Sequence, residues 1–173
     1  MSTKQPFIVN PGETRGENAL GIFGNWIWIK LSGADTDGNY TIFEGEVAPQ
    51  SGPPLHRHGR EDETFYVLEG EFVFEVEGKR IYAGPGCTVH APRGQAHRFQ
   101  NAGTTVGRLL TVSQPAGLDA FFTDIDRATG GANVPNPAIV LPIFEKYGLE
   151  PLGPPLPARV PQECHAVERS VAD

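Results

Sequence analysis

The chain has 173 residues, of which 39% are hydrophobic, enough for one sizeable core and too few to predict two. Its formal net charge of −7, with no basic run, argues against nucleic acid or an anionic membrane as main partner, because both require clustered Lys and Arg. Residues 1–20 lack the apolar stretch of a signal peptide, and no segment reaches membrane-spanning length. We therefore expect a soluble, cytoplasmic protein that binds a small molecule.

The cysteine, glycine and proline content indicates the redox state of the thiols and the structural class of the protein. Cys87 and Cys164 match no zinc or redox spacing, so we expect reduced thiols, while a disulfide between them stays open. The chain contains 21 Gly and 16 Pro without a fixed period. This composition favours a turn-rich all-β domain with few helices.

Residues 1–18 are expected to form an N-terminal arm, and residues 19–114 a barrel of short strands. The segments IFGNWIWIKL and YTIFEGEVA flank a turn signal at Asp37-Gly38. Further strand-like segments follow: TFYVLEG, EFVFEVEG, RIYAGPG, CTVHAPRG, AHRFQNAG and VGRLLTVS. Eight or more short strands without a crossover helix predict a β-sandwich or barrel rather than a parallel α/β sheet.

Residues 115–148 are expected to form a helical segment that packs on the barrel. Apolar residues recur there at helical spacing: Leu118, Phe121, Phe122 and Ile125. A second short helix is predicted over 138–147, with Asn136-Pro137 as its start signal and Gly148 as its stop. Pro142 should bend or restart this helix. Residues 149–173 are rich in proline, so we expect an extended surface tail that adds little core.

Two of the five histidines, His56 and His58, stand one residue apart in HRHGREDETFYVLEG, just before a cluster of carboxylates. Successive side chains of an extended segment alternate between faces, so both imidazoles point the same way and can share a ligand. Glu63 follows after four residues and Gly70 after six more, which gives the pattern His-x-His-x4-Glu-x6-Gly.

A second pattern, Gly-x5-Pro-x-Gly-x2-His-x3-Asn, begins at Gly86 and contains His97. Together the two patterns resemble the paired motifs of the cupin superfamily, whose members fold as jelly-roll barrels. In that family, the histidines and the glutamate of both motifs bind one divalent metal inside the barrel. Carried over, the resemblance implies four metal ligands: His56, His58, Glu63 and His97. The first motif usually opens with Gly six positions before its first His, where this chain has Gln50 and places Gly52 closer.

Three neutral imidazoles and one carboxylate suit one divalent transition metal per chain, namely Fe, Mn, Ni, Co or Zn. Such a set leaves open positions on an octahedral ion. A dication with one anionic ligand keeps a net charge of +1, so it attracts an anionic oxygen donor such as a phenolate, enolate, carboxylate or hydroxide.

Several neighbours of the predicted ligands are candidates for the substrate pocket. Alternation along a strand places Phe65 and Val67 on the same face as Glu63, and Phe99 on the same face as His97. This arrangement predicts either an apolar wall around the metal or ordinary core packing. Trp26 and Trp28 share one face of an early strand and are candidates for a pocket rim, a core contact or a dimer contact.

The remaining polar residues around the motifs favour structural roles. His90 is a weaker pocket candidate, and Cys87 is expected to be a small apolar residue of the interior. Glu61 and Asp62 are expected to be solvated loop carboxylates. Asn101 is expected to cap the turn that follows it.

The flanking segments FGNWIWIKLSG and AGLDAFF are similar to small single-domain cupins that include bacterial flavonol (quercetin) 2,3-dioxygenases. That likeness implies a metal-dependent dioxygenase that uses dioxygen and a small phenolic or enolic substrate such as a flavonol. Glu63 would then also be catalytic, as the base that accepts the proton of the substrate hydroxyl.

Two alternatives stay open at this level. One is a non-redox metalloenzyme, such as an isomerase, decarboxylase or polyketide cyclase. The other is a non-catalytic module that binds a small molecule in the barrel. Whatever the activity, we expect a homodimer. The barrel has edge strands that must be covered, and the Trp-containing first strand is available to cover them.

Overall fold

The structure is a computed structural model and describes residues 5–132, 134 and 136–158; residues 159–173 of the predicted tail, which include Cys164, lie outside the described residues. The strands are β1 (Leu20–Ile22), β2 (Asn25–Leu31), β3 (Thr41–Val47), β4 (Leu55–His58), β5 (Asp62–Glu69), β6 (Phe72–Val76), β7 (Lys79–Ala83), β8 (Thr88–Ala91), β9 (His97–Asn101), β10 (Gly107–Gln114) and β11 (Leu149–Gly153). The helices are α1 (Leu118–Thr129) and α2 (Pro137–Tyr147). Neither helix is long and apolar enough to cross a bilayer.

The strands form two antiparallel sheets. One sheet has the order β1-β2-β3-β10-β5-β8 and the other has the order β11-β4-β9-β6-β7. Burial alternates residue by residue along β3 and β10, so each of these strands turns one face to the interior and one to the outside. The expected all-β jelly roll with short helices near the C-terminal end is thus confirmed.

The helix α1 forms where the apolar spacing predicts it, and α2 forms between its predicted start and stop signals. The ends of the helices are marked by capping residues. α1 ends at Gly130 and α2 at Gly148, each in the left-handed conformation that glycine adopts without strain. α2 begins at Asn136, whose side chain accepts a hydrogen bond from the Ala138 amide. α2 continues through Pro142 as one element, so the predicted restart does not occur.

The helices α1 and α2, which we call the helical cap, pack against β1, β2 and β3. Phe121 of α1 meets Phe144 of α2 edge-on, with ring centroids 5.2 Å apart. Leu118 and Ile125 extend the same buried face of α1. These side chains form one apolar cluster between the helices and β1–β3. A second, separate core cluster includes Phe72 and lies between the two sheets.

The segment after α2 corrects one expectation. Residues 149–153 form β11, which pairs with β4, and Leu149 and Leu156 are buried. The prediction of an extended tail with little core is therefore wrong for this part of the chain. β11 lies at the edge of its sheet, where Pro151 is tolerated because its missing N–H disrupts no interior ladder.

The Trp-containing strand β2 is not an edge strand. β1 pairs with β2, and Arg15 donates its backbone N–H to the Ile29 carbonyl 2.6 Å away. β2 thus lies between β1 and β3 in its own sheet, and the homodimer stays a prediction.

Candidate metal centre

Three strands bring the four predicted ligands together inside the barrel. β4 supplies His56 and His58, β5 supplies Glu63, and β9 supplies His97 directly opposite His56. One nitrogen or oxygen from each side chain lies within 4.8 Å of the corresponding atom of every other. All four residues are buried. A group of three imidazoles and one carboxylate in this arrangement could hold one divalent ion.

Each imidazole has an outer partner at Nδ1. The His56 Nδ1 lies 2.8 Å from the Pro54 carbonyl oxygen, and the His97 Nδ1 lies 3.1 Å from the Gln95 carbonyl oxygen. The His58 Nδ1 lies 3.4 Å from a carboxylate oxygen of Glu61. Because these partners are acceptors, each Nδ1–H donates outward and leaves the lone pair of Nε2 for the centre. Metal-binding histidines are commonly held in this way.

The Nε2 atoms of His97 and His58 lie 3.0 and 3.1 Å from the same oxygen of Glu63. With the proton on Nδ1, the Nε2 lone pair of each imidazole faces the negative carboxylate oxygen, and the two repel each other. A cation between each nitrogen and the oxygen, either a proton or a metal ion, removes this repulsion. Among the described side chains, the His58 Nε2 is one of the buried polar atoms without a hydrogen bond of acceptable geometry. This orphaned nitrogen shows that the residues present fit a metal ion.

The pKa values of the group differ sharply. Burial, with repulsion from His97 and His58, lowers the pKa of His56 to about 3. Burial also acts to lower the pKa of His58, but the carboxylates of Glu63 and Glu61 outweigh it and raise that pKa to about 9. The pKa of Glu63 is held well below its usual value, since attraction to His58 and His97 overcomes the effect of burial. At neutral pH a metal ion would therefore meet an ionised Glu63 and displace the proton of His58.

A cavity of about 110 Å³ connects this group to the helical cap. We call the side of His56, His58 and Glu63 the polar end. Away from this group, at what we call the apolar end, the lining includes phenylalanines from the β1–β2 turn and both helices: Phe23, Phe121, Phe122 and Phe144. A single water needs only about 10–15 Å³, so the cavity has room for several waters or for part of a small organic molecule.

The predicted pocket residues divide into two groups. Phe65 and Phe99 line the cavity, with their ring centroids 5.6 Å apart. Val67 is fully buried in the neighbouring core cluster, where it packs without lining the cavity.

Trp26, Trp28 and His90 do not reach the cavity. Trp26 is 53% exposed, and Trp28 shares its outward face because Ile27 and Ile29 point inward. His90 is exposed on β8, with its Nδ1 2.9 Å from the Thr64 hydroxyl. The expectation that these side chains form part of the pocket is therefore not met.

Cys87 is exposed rather than interior, which corrects the expectation of a small buried residue. The cap predicted for Asn101 is present, because its side-chain oxygen accepts the Gly103 amide 3.0 Å away.

Glu61 was expected in solvent and is instead 3% exposed beside His58. The signal that could have found it is its spacing of two residues from Glu63, which places both side chains on the same face of an extended segment. Asp62, between them, points outward and pairs with Arg93, with an oxygen to nitrogen distance of 2.8 Å.

The departure from the first motif has a local explanation. Gln50, at the position usually held by Gly, has a φ of 58° and so keeps the left-handed turn that glycine would allow. Its side-chain amide donates to the carbonyls of Ala102 and Gly103, at 3.0 and 3.2 Å. A Cβ at Gly52 would collide with the Phe99 carbonyl, so this glycine lets the chain approach β9 closely before β4 begins.

Comparisons with known proteins agree with this architecture. Residues 43–113 match the family model described as "Cupin domain". The chain is 29% identical over 97 residues to the tetracenomycin polyketide synthase protein TcmJ of Streptomyces glaucescens, covering 56% of this chain and 62% of that protein. It is 27% identical over 118 residues to the quercetin 2,3-dioxygenase of Bacillus subtilis, covering 68% of this chain and 34% of that enzyme. The chain thus spans less than two thirds of either relative.

Among solved structures, KdgF from Halomonas sp. superposes with a TM-score of 0.58 at 19% identity, covering 68% of this chain and 99% of that one. At this identity the likeness shows the fold alone. The fold, the family match and the two motifs agree, which confirms the resemblance inferred from the sequence. Residues 43–113, which include all four predicted ligands, match a cupin domain.

Proposed function

We propose that the protein is a metal-dependent dioxygenase that acts on a small phenolic or enolic substrate such as a flavonol. The observation that carries the proposal is the buried group of three histidines and one glutamate at one end of a cavity whose other end is lined by phenylalanine. The likeness to a quercetin 2,3-dioxygenase supports the reaction class, at 27% identity over a third of that enzyme.

His56, His58, Glu63 and His97 would hold the ion at the polar end. A redox-active ion there would supply the electron transfer with dioxygen that amino-acid side chains cannot perform. The apolar end would bind the ring system of the substrate and turn its hydroxyl toward the polar end, since aromatic walls favour the apolar body and exclude water.

Glu63 has the charge state required of a base. Its low pKa keeps it ionised at neutral pH, and the carboxylate would accept the proton of a substrate hydroxyl whose own pKa the ion would lower. The Nε2 atoms of His58 and His97 lie at about equal distances from one oxygen of Glu63, and this carboxylate lines the cavity.

Oxygen uptake by the reconstituted protein tests this proposal. The protein is loaded separately with Fe, Mn, Ni, Co or Zn and supplied with a panel of flavonols, catechols and 1,3-diketones. We expect uptake with at least one redox-active metal and none with Zn, which has no redox chemistry. Absence of uptake with every metal and substrate would contradict the dioxygenase assignment.

A second candidate is a non-redox enzyme, such as an isomerase, decarboxylase or polyketide cyclase. The likeness to a polyketide synthase protein at 29% identity favours it. In that case the ion would stabilise an enolate without exchanging electrons. Turnover by the Zn-loaded protein without oxygen consumption would support this candidate, and reversible ligand binding without any turnover would support a binding module.

A further inference from the structure

Glu61 is a buried carboxylate whose role the metal ligands alone do not explain. It is 3% exposed, as deeply buried as the predicted ligands themselves. Removing a carboxylate from water is costly unless it gains a partner. The partner is His58, whose Nδ1 lies 3.4 Å from a Glu61 oxygen.

The surroundings of Glu61 favour this inward position. Its other oxygen would lie 3.2 Å from a Cβ at Gly117, so the carboxylate packs against the residue that precedes α1. The positive end of a helix dipole stabilises an anion at such a position. The adjacent Asp62 faces the opposite way and accepts hydrogen bonds from the backbone and the side chain of Arg93. The two neighbouring carboxylates therefore occupy different environments.

His58 differs from the other two histidines of the centre in what holds its ring. The Nδ1 atoms of His56 and His97 face backbone carbonyls, whereas the Nδ1 of His58 faces a side chain. A carboxylate is a stronger acceptor than a carbonyl, so at this position it raises the basicity of the imidazole and favours the tautomer with the proton on Nδ1.

We propose that Glu61 is a positioning residue of the metal centre, which accepts the Nδ1–H of His58 and so presents the Nε2 of that histidine to the ion. The inference rests on the proposed metal centre and adds a residue outside the four ligands. Partners of this kind typically contribute 10-fold to 100-fold, as an order of magnitude, to metal affinity.

Metal affinity measured by competition with a chromophoric chelator tests the role directly, without any enzyme assay. Glu61→Ala should weaken Co²⁺ and Zn²⁺ binding by about 10-fold to 100-fold. Glu61→Gln should weaken it by a smaller factor, about 3-fold to 10-fold, because the amide oxygen still accepts the hydrogen bond but carries no charge. The visible absorption of the Co²⁺-loaded variants should also shift, since the field of one ligand changes. Glu69→Gln, which removes an exposed carboxylate from β5, is the matched control and should leave affinity and spectrum unchanged.

The outcomes separate this inference from the metal centre itself. If the unmodified protein binds neither ion, both proposals fail. If it binds them and folded Glu61→Ala stays within about twofold of it, Glu61 has no positioning role and the metal centre stands, since the expected loss is at least about 10-fold. If Glu61→Ala does not fold, Glu61→Gln decides, because it keeps the size of the side chain: unchanged affinity and an unchanged Co²⁺ spectrum would overturn the inference.

Discussion

The two ends of the cavity are built by different parts of the chain and by different forces. The polar end comes from β4, β5 and β9, all within the residues that match the cupin family. The apolar end comes from the β1–β2 turn and the helical cap, which lie outside that match. The residues that could hold an ion therefore lie in the part of the chain that matches the family model. The phenylalanines that would contact the body of a substrate lie in parts that do not match it.

The forces at the two ends also differ. At the polar end, burial penalises each charge, and the carboxylate of Glu63 is stabilised by imidazoles 3.0 and 3.1 Å away. At the apolar end, rings meet edge-on, as Phe121 and Phe144 do at 5.2 Å between centroids. Substitutions at one end should therefore leave the function of the other end unchanged.

The largest expected effect comes from Glu63→Gln at the polar end. The amide cannot accept the hydroxyl proton, so turnover per bound metal should fall by about 100-fold to 10,000-fold. Steady-state kinetics on protein of measured metal content gives this number, with Glu69→Gln as the control. Unchanged turnover in a metal-loaded Glu63→Gln variant would remove Glu63 as the base.

A smaller effect is expected from Phe122→Ala at the apolar end. Loss of one ring contact should raise the KM for an aromatic substrate about 10-fold, equivalent to about 1.4 kcal/mol, and leave metal affinity unchanged. Trp26→Ala is the control, because Trp26 is also aromatic but lies outside the cavity. A loss of metal affinity in Phe122→Ala would show that the two ends are not independent.

The smallest effect is expected from Asp124→Asn in the helical cap. Asp124 accepts hydrogen bonds from Lys146 at 2.6 Å and Tyr147 at 2.8 Å, and so ties α1 to α2. These bonds, that of Lys146 first, hold the pKa of Asp124 below its usual value.

A carboxylate with a lowered pKa stabilises the fold above its unfolded pKa of about 3.9 and loses that contribution as the pH falls below it. Asp124→Asn should therefore lower the free energy of unfolding by about 0.5 kcal/mol at pH 7, a small value because Lys146 is largely exposed. Urea unfolding at pH 7 and near pH 3 measures the difference, which should shrink at the lower pH. An equal difference at both pH values would assign it to another cause.

The parts of the molecule that followed from the sequence are those fixed by local spacing. Alternation along β4 predicted that His56 and His58 share one face, whereas Glu63 and His97 joined the set through the resemblance to the two cupin motifs, and the structure brings all four together. The helix α1 follows from apolar periodicity, and α2 follows from its start signal at Asn136 and its stop signal at Gly148.

The parts that did not follow depend on which face of a segment turns inward or on pairing between distant segments. β2 is apolar on both faces, so alternation groups Trp26 with Trp28 but cannot tell that Ile27 and Ile29 point to the core. β11 has a proline and pairs with a strand about 90 residues earlier, which no local pattern reveals. The burial of Glu61 was not predicted, because two adjacent carboxylates, Glu61 and Asp62, are typical of a solvated loop.

The metal content of protein purified without chelator tests the central claim most directly. We predict one divalent ion per chain in the unmodified protein and almost none in the variant that combines His56→Ala with His97→Ala. Both samples must be folded, as shown by matching circular dichroism spectra. Near-stoichiometric metal in the double variant, or none in the unmodified protein after reconstitution, would contradict the assignment of this buried group as a metal centre.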